Sequence, residues 1–213
     1  MGPSGSGKST LLHCLSGMDR PDAGSVLLGG TDITSLNEKE LAALRLTRFG
    51  FVFQQAHLMT TLCLLDNIVL PGFLAGLRPR SEVTLRGEEL MERMGIADLA
   101  ASGVTEVSGG QLQRAGICRA LINDPGIVFA DEPTGALNSA TALQILDLLG
   151  EIHASGTTLV MVTHDSQVAA RADRVLVLVD GRIMEDLSLG RYEAVKGPSR
   201  LATITEALQR RSV

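Results

Sequence analysis

The chain has 213 residues and a mass of 22.5 kDa, with 45% hydrophobic and 20% charged residues. That suffices for a sizeable buried interior and excludes a disordered or collagen-like polypeptide. A net charge of −5, 3% aromatic residues and no Trp give no basis for broad binding to nucleic acid or to anionic membranes, nor for base-stacking platforms. Cys14, Cys63 and Cys118 are irregularly spaced and form no Cys-x-x-Cys pair, the pattern of reduced thiols rather than of a disulfide framework or a zinc site. The most apolar stretch, Leu62 to Leu77, is broken by Asp66, Asn67, Pro71 and Gly72 and is too short to cross a bilayer. No secretory signal opens the sequence, and with no spanning stretch the chain is expected to be soluble by itself, whatever it attaches to.

The first elements carry the first chemistry. Gly2-Pro3-Ser4-Gly5-Ser6-Gly7-Lys8-Ser9-Thr10 fits the phosphate-loop pattern G-x-x-x-x-G-K-[ST]. Glycines let the backbone curl so that amide N–H groups converge on phosphate oxygens, and the helix that follows, Lys8 to Ser16, presents its positive dipole end. Lys8 supplies a charge to the β- and γ-phosphates, and the Ser9 hydroxyl is placed to ligate Mg²⁺. A flexible Gly/Ser terminus would have no reason to end in Lys-Ser-Thr followed by Leu11-Leu12. The motif ordinarily follows a strand, yet only Met1 precedes it, so a fragment or a start at an internal Met is expected.

Next come a turn at Arg20 to Gly24, a short strand Ser25 to Leu28 closed by Gly29-Gly30, and a helix opened by an Asn37…Glu40 capping box. Phe49 to Phe53 reads as a strand ending at Gln54, whose amide could reach metal or attacking water, with Gln55 the alternative. Residues 57–123 read as a helical subdomain inserted in an α/β core, with breaks predicted at Pro71-Gly72 and at Arg78-Pro79-Arg80. Within it, Val107-Ser108-Gly109-Gly110-Gln111 precedes a helix from Leu112 to Asn123. This is either a second anion site or a simple N-cap.

From Gly126 strands and helices alternate, as in βαβ units. The apolar strand Gly126 to Asp131 delivers Asp131-Glu132 to the end where ligands of open sheets bind. Asp131 is suited to the Mg²⁺ shell. Glu132 is suited to act as general base or positioner for a water attacking the γ-phosphate. A helix from Ser139 to Ala154 leads to a strand, Thr157 to Val162, that carries His164 to a similar position; a structural hydrogen-bonding role is the alternative for that histidine. Arg174 to Val179 and Arg182 to Asp186 form a hairpin around Asp180-Gly181, and the polar tail after Gly190 shows no motif.

These residues resemble the ATP-binding-cassette ATPases from Gly2 to about Asp186. Walker A is Gly2 to Ser9, the Q-loop glutamine is Gln54 and the signature is Ser108-Gly109-Gly110-Gln111. Walker B is Ile127 to Asp131 with Glu132 next, and the switch histidine is His164. The resemblance implies a P-loop NTPase fold of the cassette type, a mostly parallel sheet flanked by helices, forming a single nucleotide-binding domain over 1–213 that lacks the family's N-terminal strands. Ala130 to Gly135 and Phe51 to Gln55 are similar to the subgroup of macrolide exporters, lipoprotein-release complexes and bacitracin-type peptide-antibiotic transporters. Gly135 to Ser139 and Asp186 to Tyr192 lean toward the peptide-antibiotic branch.

The implied mechanism is ATP-driven head-to-tail dimerisation. Two copies sandwich ATP and Mg²⁺ between Walker A of one and the signature of the other, with Ser108 and Gly110 facing the partner's γ-phosphate. Hydrolysis then drives an integral-membrane permease through residues around Ala56 to Asp66, where Leu58, Met59 and Leu62 either dock or pack inside. The implied location is cytoplasmic, peripheral on the inner face of the membrane. Asn138 stands where the family's D-loop usually carries Asp. A non-transport cassette ATPase of the cell-division type, or a catalytically impaired fragment, is the alternative.

Overall fold

The computed structural model describes residues 1–209. In chain order the elements are α1 (Lys8–Leu15), β1 (Leu27–Leu28), β2 (Thr31–Asp32), α2 (Glu38–Arg48), β3 (Phe49–Phe53), α3 (Leu64–Ala75), α4 (Arg80–Arg93), α5 (Gly109–Leu121), β4 (Ile127–Asp131), α6 (Ser139–Ala154), β5 (Thr158–Val162), α7 (Ser166–Ala169), β6 (Arg174–Val179), β7 (Arg182–Ser188) and α8 (Gly197–Gln209). Contacts divide the described residues into two compact units, residues 1–13 with 162–209, and residues 14–161.

The larger unit is built on the sheet order β3-β4-β5, with β3 and β4 parallel and Phe53 paired with Asp131. The parallel register brings the two strand ends level, so Gln54 and Glu132 leave the sheet side by side. Phe49 and Phe129 meet edge to face at 5.1 Å between ring centroids, and Phe51 stacks on Phe129 at 5.8 Å. The core beneath them joins Val52, Val128 and Ala130 of the strands to Leu64, Ile68, Met91, Ile117, Cys118 and Ile145 of the helices, all 2% exposed or less. Burying such side chains, at about 1.5–3 kcal/mol each, is the main drive that holds α3, α4 and α5 together.

Several helix ends follow directly from local residues. Asn37 opens α2 with both halves of the capping box, Asn37 Oδ1 accepting from Glu40 N–H and Glu40 Oε2 from Asn37 N–H. The predicted break at Pro71-Gly72 does not occur: α3 runs through Pro71 and stops at Gly76, whose φ of +62° and N–H bond to Gly72 O make a left-handed C-cap. The reason is tertiary. A Cβ on Gly72 would lie 2.4 Å from Val83 Cγ1, so the Pro-Gly pair sits where α3 crosses α4 at close range. The Gly29-Gly30 turn, with φ of +54° and +85°, leads into a second short strand, β2, that pairs antiparallel with β1.

The smaller unit centres on the antiparallel β6–β7 hairpin, whose turn residues Asp180 and Gly181 have φ of +47° and +74°. Its core joins Val175, Val177, Ala169, Ala170 and Ile204. The motif-free tail contains α8, whose Ile204 and Ala207 are buried with Arg200. Arg200 donates to the carbonyls of Ala170 and Ala172 at the end of α7 and of Leu189 to Arg191.

Candidate nucleotide site

In the smaller unit the phosphate loop is set by the hairpin. Met1 N donates to Leu176 O at 2.7 Å and Met1 O accepts from Leu178 N–H at 2.8 Å, so Met1 lies alongside β6. Gly2 follows where the backbones nearly touch: a Cβ there would stand 2.0 Å from Leu178 O. The loop closes with Ser6 N–H on Pro3 O and with Gly181 N–H on Ser6 O. Lys8 starts α1, and its Nζ donates to Pro3 O at 2.7 Å, folding the ammonium back over the loop. Ser4, Gly5, Ser9 and Thr10 are exposed, while the Ser6 hydroxyl is buried without a partner. His164, also exposed, lies in this unit between β5 and α7, where Asp165 N–H bonds Thr163 Oγ1.

In the larger unit Gln54, Asp131 and Glu132 emerge together from β3 and β4. Gln54 is exposed, and its Nε2 would be 2.9 Å from a Cβ placed on Gly135, so its amide lies against the turn after Walker B. Asp131 Oδ1 is buried and has no hydrogen-bond partner. A buried, unpaired carboxylate oxygen is costly unless a cation meets it. Glu132 sits at φ +47°, a left-handed conformation that costs a non-glycine residue about 1 kcal/mol or more and that concentrates at functional positions. The turn is closed by Gly135 N–H on Glu132 O at 3.0 Å.

The signature residues form an N-cap. Ser108 N-caps α5 in a capping box with Gln111, Ser108 N–H donating to Gln111 Oε1 at 2.8 Å. The same residues line an open pocket of about 340 Å³ together with Asn138, Thr141 and Gln144. Asn138 caps α6 by accepting from Thr141 N–H at 3.0 Å. Arg114 borders the pocket with Nη1 on Met94 O at 2.7 Å and Nη2 on Gln144 Oε1 at 2.9 Å. The structure thus brings Gln54, Asp131 and Glu132 to one sheet end and Ser108 to Gln111 around one pocket, and it builds the phosphate loop on the hairpin with His164 in the same unit. Sequence reasoning missed Arg114, and it read Asp180-Gly181 as a turn without its role beneath the loop.

Leu58, Met59 and Leu62 differ in burial. Leu58 packs on the core, Leu62 is half-buried and Met59 is 51% exposed. Asn67, which the sequence reading used only as an interruption, organises this segment: Oδ1 accepts from Met59 N–H, and Nδ2 donates to the carbonyls of Met59, Leu62 and Cys63.

The donors suit a nucleotide and a hard cation. A serine hydroxyl, an amide oxygen and a carboxylate are oxygen ligands of the kind Mg²⁺ takes, alongside substrate phosphates. Among the described residues there is no group of three His, Cys, Asp or Glu that could hold a metal ion. No helix among them is long and apolar enough to cross a membrane.

A sequence profile described as ABC transporter matches residues 1–135. The macrolide export ATP-binding/permease protein MacB 1/2 of Paracoccus denitrificans is 46% identical over 93% of this chain and 30% of its own length. The corresponding protein of Rhodopseudomonas palustris is 45% identical over 95% and 31%. A probable export ATP-binding/permease protein MacB of Pseudomonas entomophila is 41% identical over 100% and 32%. The chain therefore spans about three tenths of these relatives. Their names fall in the macrolide-export branch, one of the three in the subgroup that residues 130–135 and 51–55 resemble. Among solved structures, the ATP-binding cassette MJ0796, described as a dimeric post-hydrolysis state bound to ADP and Pi, superimposes with a TM-score of 0.82 at 38% identity, over 90% of this chain and 84% of that one. A second dimeric structure of MJ0796, described as a bacterial ABC transporter cassette, matches equally well. With a family profile over more than half its length and a P-loop ATPase fold shared with solved cassettes, the chain belongs to the ABC transporter family, as an ATP-binding cassette related to the MacB exporters.

Proposed function

We propose that this chain binds and hydrolyses ATP with Mg²⁺ and that paired copies use the reaction to drive export through an integral-membrane permease. The observation that carries the reading is Asp131 Oδ1, buried and unpaired at the end of β4, with Glu132 next to it in a left-handed turn. In this reading the N–H groups of Gly2 and of Ser4 to Thr10 and the dipole of α1 cradle the β- and γ-phosphates. Lys8 leaves Pro3 O to pair with them. Ser9, Gln54 and Asp131 hold the cation, which when bound neutralises the charge developing on the phosphates. Glu132 takes or orients the proton of the attacking water, and His164 contacts the γ-phosphate.

Ser108, Gly109, Gly110 and Gln111 serve the nucleotide of a second copy. Support comes from the open pocket they line and from the dimeric state named for the MJ0796 structures. Residues 57–123 form the helical subdomain, and the segment 56–66 at its start, with Met59 exposed, meets the permease. The relatives' name joins ATP-binding and permease functions, which supports such a partner and a peripheral position on the cytoplasmic membrane face. The substrate class proposed is the macrolide type.

Two measurements on the purified chain test this. Hydrolysis of ATP is expected to require Mg²⁺, and Glu132→Gln is expected to lower it about a hundredfold or more while trapping an ATP-bound dimer in size-exclusion chromatography with light scattering. Equal turnover with and without Mg²⁺, or a Glu132→Gln variant that stays monomeric in ATP, overturns the mechanism.

A further inference from the structure

Helix α5 carries the signature at its first turn, and its buried face grips the Q-loop. Gln113 is 3% exposed, and its Nε2 donates to Phe53 O at 2.9 Å and to Pro133 O at 2.8 Å. Phe53 is the residue before Gln54 and Pro133 the residue after Glu132. Farther along the helix, Arg119 donates from Nη1 to His57 O at 2.8 Å and from Nη2 to Ala56 O at 2.6 Å. Between them a Cβ on Gly116 would lie 3.3 Å from Ala56 Cβ, so helix and loop are in contact. The pair Gln54-Gln55 is thus held by α5 from both sides.

The residue types match this task. A neutral carboxamide offers two N–H groups to two carbonyl oxygens that would otherwise lose water without a partner. Arginine's planar fork spans two successive carbonyls, which a lysine ammonium reaches only as a single point.

We propose that Gln113 and Arg119 are positioning residues for hydrolysis, making α5, Gln54 and Glu132 one mechanical body so that nucleotide engaged at Ser108 to Gln111 sets the geometry of the reacting water. The assignment rests on the roles given above to Gln54 and Glu132. The phosphate loop has no part in the clamp, so turnover and nucleotide affinity are expected to separate.

The test uses the full chain with Gln113→Met, Arg119→Met and Arg119→Lys, comparing kcat, KM for MgATP, melting temperature and amide hydrogen exchange over residues 54–58. The expected result for both Met variants is a fall in kcat of about tenfold or more, as for a misplaced reacting geometry. KM is expected to stay within about twofold, the mark of an interaction that acts on the chemical step. Exchange at 54–58 is expected to rise about tenfold, and Arg119→Lys to recover part of both effects. Unchanged kcat in a folded Met variant overturns the proposal, as does a joint change of kcat and KM that merely follows the melting temperature. If a Met variant fails to fold, Arg119→Lys decides by the same criteria. If the wild-type chain does not turn over ATP, the hydrolytic reading fails, and unaltered exchange at 54–58 overturns the clamp independently.

Discussion

Asn67 is the most exposing single position at which to perturb the segment proposed to meet the permease. It is 2% exposed, and replacement by aspartate preserves its shape while removing both amide hydrogens. Those hydrogens serve the carbonyls of Met59 at 3.1 Å, Leu62 at 3.3 Å and Cys63 at 2.9 Å; only the bond from Met59 N–H to Oδ1, at 2.7 Å, survives. Losing two donors costs about 1 kcal/mol each. A buried carboxylate facing carbonyl oxygens raises the total to about 3–5 kcal/mol at neutral pH. For a chain of this size that is a melting temperature lower by about 10 °C.

The pH dependence has a definite sign. Burial raises the introduced carboxyl's pKa in the folded state, so it favours the folded variant below the unfolded value near 3.9, and that contribution is lost as pH rises through the folded value. The deficit relative to wild type should therefore be largest at pH 7 and shrink toward pH 4, as followed by circular dichroism melts. A variant melting within about 2 °C of wild type at pH 7 would refute the argument, because the four bonds would then not be holding the segment.

Other expectations are as direct. A methyl on Gly110 would stand 2.6 Å from Thr141 Cγ2. Gly110→Ala should therefore lower ATP hydrolysis while nucleotide binding stays near wild type, and Thr141→Ser, which removes that methyl, should restore activity in the double variant. Burial pushes the Cys118 thiol up to about 12, and its side chain is 0% exposed. Native alkylation at pH 8 followed by mass spectrometry should leave Cys118 unmodified until the chain unfolds, because almost no thiolate is present and none is accessible.

The local chemistry of the site was readable in one dimension. The phosphate loop, the Asn37 capping box, the Asp180-Gly181 turn and the apolar strand ending in Asp131-Glu132 are written in neighbouring residues, since φ preferences, caps and strand ends depend on a few positions at a time. Pro71 misled because its cost is local while its tolerance depends on the close crossing at Gly72 and Val83. Helix α8 was invisible because its buried positions, Arg200 among them, find partners only once the hairpin and α7 are in place.

The motifs, their order along the chain and hence the family could be read from adjacent residues. Which side chains hold the machinery steady was decided by folding. Gln113 bonds carbonyls 60 and 20 positions away, and Arg119 reaches back more than 60. No local preference encodes such pairings, for a buried amide or guanidinium declares its partner only after the parallel register of β3 and β4 has brought two distant strand ends level beneath one helix.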